Sequence, residues 1–212
     1  MNLGKLFEMQ KVLDERILKE KGLEGQDLLS KKVRALLTEL GELSNEERSF
    51  KFWSEDRAPR TEVFVLKKEY QHLHITQTGA YEFQLRDEFG KVIFDDVTDH
   101  HHDRRNFLLE EYVDCLHFIL SVGLEHEFDY HLPAVSIEPL ICREYDIDAQ
   151  IIALMQADWD IYEENDAGYY QEGLELFLGL GQIEMLGFTW EEIEAAYFAK
   201  NEINHARQAE GY

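Results

Sequence analysis

The chain has 212 residues, 44% of them hydrophobic and 12% aromatic, which is enough for one folded domain with a full core or for a domain with an insertion. Its 44 acidic and 21 basic residues give a net charge of −23, which argues against a protein that wraps duplex nucleic acid. No apolar run could span a bilayer, the first residues lack the pattern of a secretory signal, and two cysteines are too few for a disulfide framework. We therefore expect a cytoplasmic protein without a membrane or nucleic-acid partner, in which a site for an anionic substrate would need metal ions.

The N-terminal part is predicted to form two amphipathic helices. Residues 3–20 carry apolar side chains at helical spacing, and Gly22 follows where this pattern ends. A second helix is predicted over about residues 28–49. Glu39 and Glu42 lie about 60° apart on its helical wheel, beside the apolar stripe, so both can point to the same spot.

Residues 57–106 differ in composition from the helices on either side. They are rich in β-branched and aromatic residues, and Tyr81, Phe83 and Leu85 alternate with polar residues before a "DEFG" turn and the apolar residues 92–94. This pattern predicts a β-hairpin. We expect the "TDHHHDRR" stretch that follows to be a solvated linker, because adjacent histidines on a regular backbone point in different directions and are poorly placed for one metal ion.

The helical pattern returns at Asn106. The stretch "FLLEEYVDCLHFILSVGLE" is apolar on most sides, which predicts a central helix. Two further helices are predicted over residues 147–164 and 170–186. Thr189 and Glu192, in "TWEE", form a capping-box pattern that opens a last helix.

These elements together predict a mainly α protein, a helical bundle with a β-hairpin-containing insertion. Residues 1–56 and 107–212 form the expected helical catalytic domain, and residues 57–106 form the β-rich insertion.

A second acid pair lies on the central helix. Glu111 and Asp114 are three residues apart on its least aliphatic side, together with Phe118. If this helix packs against the one that carries Glu39 and Glu42, four carboxylates converge and repel unless cations neutralise them. Such oxygen ligands suit Mg²⁺ or Mn²⁺, and Mg²⁺ is commonly shared with substrate phosphates, which indicates phosphate ester or anhydride chemistry. The alternative is that these acids are solvent-facing residues of amphipathic helices.

Two polar residues interrupt the apolar stripe of the first helix. Gln10 and Asp14 lie among leucines and isoleucine, where a buried amide requires partners. Either they form structural hydrogen bonds to a neighbouring helix, or the amide contacts a flat polar ligand such as a base.

The last helix carries cations and amides on one side. Lys200, Asn204 and Arg207 are spaced four and three residues apart, and Asn201 lies next to this row. Cations are favourable near any helix C-terminus, so this side is either an ordinary solvated end or a contact surface for phosphates and a base.

Four motifs in this order, "TELGEL", "FKFW", "EEYVDCLHF" and "KNEINHARQAEGY", resemble the dimeric, all-α dUTPases of the MazG-like nucleotide pyrophosphohydrolases. The resemblance covers roughly residues 1–56 and 107–212, and the insertion has no equivalent in the core pattern of that family. It implies an all-α NTP pyrophosphatase fold, a homodimer, and hydrolysis of dUTP to dUMP and pyrophosphate.

The resemblance also assigns roles to residues. Glu39, Glu42, Glu111 and Asp114 would hold Mg²⁺, with Mn²⁺ as a possible substitute, and Glu39 would help to activate the attacking water. The residues implied near base and sugar are Gln10, Asp14, Trp53, His117 and Phe118, with Asp14 standing where relatives often carry Asn. The residues implied at the phosphates are Lys51, Lys200 and Arg207, while Asn201 and Asn204 are candidates for base or phosphate contacts.

Three alternatives remain open at this point. The chain could act on another nucleotide such as dCTP. It could be a di-iron bundle, for which Asp114 and His117 supply one acid-x-x-His pair, although Glu39 is followed by Glu42 where a second histidine would be needed. It could also be a non-catalytic acidic interaction protein that binds through its β-rich insertion.

Overall fold

The computed structural model of the chain describes residues 2–78, 82–132, 135–143, 146–160 and 166–211. Tyr81 of the predicted hairpin and residues 161–164 of a predicted helix lie outside this part. The chain divides into two compact units, one formed by Met1–Pro59 with Leu108–Tyr212 and the other by Arg60–Phe107. The mainly α fold with a small β insertion is confirmed.

The first unit begins with two helices, α1 (Leu3–Lys21) and α2 (Leu29–Glu47). The side chain of Asn2 caps α1 by accepting a hydrogen bond from the Lys5 backbone N–H, and Gly22 ends it in a left-handed conformation with φ of 65°. Helix α2 ends at Arg48, which also has a positive φ, 73°. The bounds of both helices match the predicted ones closely, because their apolar residues have a clear helical period.

Helix α3 (Phe107–Glu125) is the central helix of this unit, as predicted. Most of its residues are buried, including Cys115 and Leu116. The hydroxyl of Tyr112 donates to the Phe177 carbonyl oxygen at 3.1 Å, so even the polar atom of this large buried side chain is satisfied.

The remaining helices are α4 (Phe128–His131), α5 (Ile147–Gln156), α6 (Asp166–Gly181) and α7 (Trp190–Ala209). The prediction that α5 extends to residue 164 is wrong for residues 157–160. Ala157 is extended, and the chain turns back so that Trp159 is buried with its indole N–H donating to the Leu154 carbonyl oxygen at 3.0 Å.

The ends of the last two helices have local causes. Helix α6 ends at Gly181, earlier than predicted, because the chain enters a turn in which Gly187 has φ of 82° and its N–H donates to the Gln182 carbonyl. Helix α7 begins with the predicted capping box, in which Thr189 and Glu192 each accept from the other's backbone N–H. None of the helices in the described ranges is both long and apolar enough to cross a membrane.

The second unit contains two small antiparallel sheets. One pairs β1 (Val63–Leu66) with β5 (His102–Arg105), and the other has the order β2 (His74–Gln77), β3 (Phe83–Arg86), β4 (Val92–Phe94). The predicted hairpin is β3–β4. Its turn is held by the Asp87 carboxylate, which accepts from two backbone N–H groups, and by Gly90 with φ of 79°.

The stretch "TDHHHDRR" is largely exposed, as predicted, but the prediction of a linker is wrong for its second half. His102–Arg105 form strand β5, whose backbone pairs with β1. The ring of His102 stacks on Phe64 with centroids 4.6 Å apart, and His101 is buried against Phe94 while its Nδ1 accepts from the Thr98 N–H. Cross-strand pairing and ring stacking order this polar stretch, and neither is visible in a local pattern.

A prediction follows from two glycines of α6. A Cβ added at Gly173 would lie 2.6 Å from Cη2 of the Trp159 ring, whereas one at Gly168 meets no atom within 4 Å. We expect Gly173→Ala to lower the free energy of unfolding by about 1–3 kcal/mol, because the buried ring must shift. Gly168→Ala should leave it unchanged or raise it by up to about 1 kcal/mol. Urea denaturation of both variants measures the difference, and equal effects would contradict this packing.

Candidate active site

A cavity of about 300 Å³ lies between α1, α2, α3 and α7 in the first unit. Each of these helices contributes polar side chains to its wall. The lining residues are Gln10, Leu13, Asp14, Ile17, Glu39, Asp114, His117, Phe118, Ser121, Lys200, Asn204, Arg207 and Gln208.

An acid cluster lies at this cavity. Glu39 from α2 and Glu111 and Asp114 from α3 each offer a carboxylate oxygen, and these oxygens all lie within 4.8 Å of one another. Glu42 is outside this group and exposed, yet its charge still raises the pKa of both Glu39 and Glu111. The structure therefore brings three of the predicted acids into one group and leaves the fourth close to it.

The electrostatics of this cluster are unfavourable without a cation. Burial raises the pKa of Glu39 to about 7, with further contributions from the negative charges of Asp114 and Glu42, and burial with the same charges raises the pKa of Glu111 to about 7. The positive charge of Lys200 acts in the opposite direction on both. Three converging hard oxygen ligands with excess negative charge fit Mg²⁺ or Mn²⁺.

Lys200 reaches the acid cluster from α7. Its Nζ donates to Oδ2 of Asp114 at 2.5 Å, and both side chains are largely buried. Charge-assisted bonds of this kind are short and strong. The ammonium group is therefore held beside the carboxylates.

A hydrogen-bonded hub surrounds Gln10. Its Oε1 accepts from the hydroxyl of Tyr197 at 2.9 Å and lies 2.7 Å from Nδ1 of His117, while its Nε2 donates to Asp14 at 2.7 Å. Since Oε1 only accepts, this pairing assigns the proton of His117 to Nδ1. Burial lowers the pKa of His117 to about 3, so the ring is neutral.

The other ring nitrogen of His117, Nε2, carries no proton and is therefore a hydrogen-bond acceptor. Nε2 is buried and has no hydrogen-bond partner within the described part of the chain. The ring stacks on Tyr197 with centroids 4.2 Å apart, which fixes its orientation. His117 lines the cavity, so this buried nitrogen is an unsatisfied acceptor in the cavity wall.

Asp14 accepts hydrogen bonds from side chains of α2 and α3. Its Oδ2 accepts from Lys32 Nζ at 3.0 Å and from the Ser121 hydroxyl, and Lys32 also pairs with Glu125 at 2.6 Å. Lys32 thus forms ion pairs with two carboxylates, those of Asp14 and Glu125.

The other predicted substrate residues fall into two groups. Phe118, Asn204 and Arg207 line the cavity, and Asn201 is buried with an Nδ2 that has no partner among the described residues. Lys51 and Trp53 are not among the residues that line the cavity.

Both of those residues follow α2 in a separate segment. Lys51 donates to the Asn45 carbonyl oxygen at 3.1 Å, and Trp53, 66% exposed, packs edge-on against Phe50 and Phe52.

The spacing of Asn201, Asn204 and Gln208 places Gln208 on the same side of the last helix as the other candidates, but sequence reasoning did not assign Leu13, Ile17 or Ser121 to the site. A signal for Ser121 exists, because it follows Asp114 by two helical turns and so lies on the same face of α3. Leu13 and Ile17 belong to the apolar stripe of α1, and nothing in their type distinguishes a cavity wall from the core.

A helical unit in which carboxylates and cations from four helices surround one cavity is typical of a hydrolase acting on a phosphate-bearing substrate. The sequence pattern of the family described as dUTPase matches residues 2–96 and 97–212 of this chain. The chain belongs to that family and is a hydrolase that acts on dUTP. A comparison with curated proteins finds no match.

One prediction concerns the charge of the acid cluster. The pKa of Glu111 is raised, so the folded chain binds a proton that the unfolded chain releases, and stability falls as the pH rises from about 4.5 through about 7. A neutral glutamine at position 111 has no charge to bury, so it avoids this loss of stability at high pH. In metal-free buffer we therefore expect Glu111→Gln to be more stable than the wild type at pH 8, with an advantage that shrinks toward pH 5.5.

Urea denaturation with a chelator at both pH values checks this expectation. Glu172→Gln, an exposed position on α6, is the matched control and should show no such pH-dependent advantage. A Glu111→Gln variant that is less stable than wild type at pH 8 would contradict the proposed repulsion.

A second prediction concerns the hub. Tyr197→Phe removes the hydroxyl that donates to Gln10 without removing the ring, and should lower the free energy of unfolding by about 1–2 kcal/mol. Tyr169→Phe, at an exposed position, should change it by less than about 0.5 kcal/mol. Thermal or urea denaturation distinguishes these outcomes, and an unchanged Tyr197→Phe variant would mean that the bond contributes nothing.

Proposed function

We propose that this chain hydrolyses dUTP to dUMP and pyrophosphate, using Mg²⁺ or, in its place, Mn²⁺. The observation that carries this proposal is the group of Glu39, Glu111 and Asp114, whose carboxylate oxygens lie within 4.8 Å of one another in a chain of the dUTPase family.

In this proposal Glu39, Glu42, Glu111 and Asp114 hold the metal. Glu42 would join the other three from the next turn of α2. A bound divalent cation would neutralise phosphate charge and polarise the anhydride. The raised pKa values of Glu39 and Glu111 support this assignment, because burial and the neighbouring negative charges that raise them are both offset by a bound cation.

Glu39 is the proposed general base. Its carboxylate would take a proton from a water molecule whose oxygen attacks the α-phosphorus. The bond between that phosphorus and the oxygen bridging to the β-phosphate breaks, and pyrophosphate leaves with the electron pair. A carboxylate at the cavity wall is in a position to accept this proton.

The remaining wall would bind the nucleotide. Lys200 and Arg207 would donate to phosphate oxygens, and Asn201 and Asn204 would contact phosphate or base. Phe118 would pack against the sugar, His117 would accept a hydrogen bond near it, and Gln10 with Asp14 would meet the base. A ring packed against the sugar disfavours a 2′-hydroxyl, and a close wall at the base disfavours the thymine methyl group.

Lys51 and Trp53 lie on the exposed segment after α2 and do not line the cavity. The contacts proposed for them, Lys51 with the phosphates and Trp53 with the base or sugar, therefore rest on the family resemblance. Phe52 and Trp53 are 81% and 66% exposed, which supports a homodimer in which this aromatic surface becomes covered.

The proposed catalytic domain is residues 1–56 and 107–212, because every residue that lines the cavity comes from them. We infer a cytoplasmic enzyme that takes a free nucleotide and binds no nucleic acid, which the net charge of −23 supports. None of the residues that line the cavity comes from the insertion, residues 57–106, so we assign the insertion no part in the proposed reaction.

The decisive variant is Glu39→Gln. We expect it to abolish pyrophosphate release from dUTP, with a loss of at least about 100-fold, because it removes the base and one metal ligand. Circular dichroism should show an unchanged helical fold. Glu8→Gln, at an exposed position on α1, is the control and should retain full activity. Near-normal turnover of Glu39→Gln would rule out the proposed mechanism.

A substrate panel separates dUTP from the alternatives in the same assay. The proposal requires a higher kcat/KM for dUTP than for dTTP, UTP and dCTP, and preference for dCTP would reassign the substrate. Titration with a non-hydrolysable dUTP analogue, with and without Mg²⁺, tests the metal requirement of binding independently of turnover.

A further inference from the structure

Lys200 has a position that phosphate binding alone does not explain. Its Nζ lies 2.5 Å from Oδ2 of Asp114, and the two side chains are 22% and 20% exposed. Asp114 is also one of the three residues whose oxygens converge with those of Glu39 and Glu111. In the chain without ligands, the ammonium group is therefore a counter-charge of the very carboxylates that are assigned to the metal.

A divalent cation and this ammonium group are competitors. Both are attracted to the same carboxylates, and like charges held at contact distance in a partly dry site repel strongly. A cation bound through Asp114 thus either shares an oxygen with Lys200 or displaces it. The displaced ammonium needs another anionic partner.

A nucleotide would supply that partner. Lys200 lines the same cavity as Asn204 and Arg207, and its flexible stem carries three donors that can reorient toward phosphate oxygens. The phosphates would then hold the lysine while the carboxylates are free to hold the cation.

We propose that Lys200 competes with the divalent cation for Asp114 in the free enzyme and transfers to the phosphates when the nucleotide binds, so that metal and nucleotide bind synergistically. This inference rests on the proposed metal site at Glu39, Glu111 and Asp114. Linkage makes the coupling reciprocal: whatever the nucleotide adds to metal affinity, the metal adds to nucleotide affinity.

The first test is metal binding without nucleotide. Isothermal titration of Mg²⁺ at pH 8.5, where the acid cluster is ionised, compares the wild type with Lys200→Met and Lys200→Arg. We expect Lys200→Met to bind Mg²⁺ at least about fivefold more tightly, because the competing charge is gone. Lys200→Arg keeps the charge and should bind like the wild type.

Two further variants make this comparison robust. Lys11→Met removes the same charge from α1, where the lysine pairs with Asp129 at 3.3 Å, and should leave Mg²⁺ affinity unchanged. Lys200→Gln removes the charge but keeps a donor for Asp114, and it replaces Lys200→Met if circular dichroism shows that the latter is unfolded.

The second test repeats the titrations with a saturating non-hydrolysable dUTP analogue. The analogue should raise Mg²⁺ affinity in the wild type, and this increase should be at least about fivefold smaller in Lys200→Met. If Lys200 only contacts phosphate, Lys200→Met will weaken the analogue while Mg²⁺ affinity without nucleotide stays at the wild-type value, and that result overturns the inference. Absence of Mg²⁺ binding in every protein, with or without the analogue, overturns the proposed metal site as well.

Discussion

The packing of α2 against α3 forces carboxylates together in a space that is only partly open to water. Leu36, Leu40 and Leu43 of α2 and Cys115 and Leu116 of α3 are fully buried and belong to the same hydrophobic core cluster, which holds the two helices in place. Glu39, Glu111 and Asp114 lie on the same helices and have no freedom to separate by moving the backbone. The raised pKa values at the cluster are the direct consequence. Apolar burial thus stabilises a fold that contains a locally unfavourable charge arrangement, which is the usual relation between stability and an active site.

The rest of the cavity wall is held by a second kind of constraint, the requirement that buried polar groups find partners. Gln10 satisfies this requirement by joining three helices: Asp14 on its own helix, His117 on α3 and Tyr197 on α7. Each of these bonds limits the rotamers of a residue that lines or supports the cavity. The hub therefore determines which polar atoms of the wall are already paired, and it leaves Nε2 of His117 without a partner among the described residues.

Helical periodicity was sufficient to predict α1, α2 and α3 and to place the two acid pairs on their faces. The capping box at Thr189 was equally readable, because all its groups are local. The end of α5 was not, since it depends on the burial of Trp159 against the rest of the unit. The order of the histidine stretch was also missed, because β5 is defined by pairing with β1, about 40 residues earlier in the chain. Local patterns predict what the backbone can do alone, and tertiary contacts decide the remainder.

The site shows the same division between local and distant information. The spacing of Glu39 and Glu42, and of Glu111 and Asp114, is a property of one helix each. The partners of the amide oxygen of Gln10 are 107 and 187 residues away, so only the folded chain shows that this oxygen is already engaged. The bond of Lys200 to Asp114 joins residues that are 86 positions apart in the chain. It shows that this lysine places its charge beside the acid cluster, which its position near the end of the last helix does not indicate.

The groups along α3 give the two ends of the cavity a different character. Asp114, with Lys200 beside it, lies at one end, and Ser121 with Asp14 lies two turns away, about 10 Å along the helix axis. At the first end three carboxylate oxygens converge beside the single ammonium group of Lys200, so this end carries excess negative charge. At the other end Lys32 pairs with both Asp14 and Glu125, and between the two ends lies the neutral ring of His117. The two ends therefore differ in how their carboxylates are arranged: Asp14 and Glu125 form ion pairs with Lys32 at one end, and three carboxylate oxygens converge within 4.8 Å of one another at the other. This difference supports the proposed orientation of the nucleotide, in which the metal and the phosphates bind at the converging carboxylates because their excess negative charge attracts a cation.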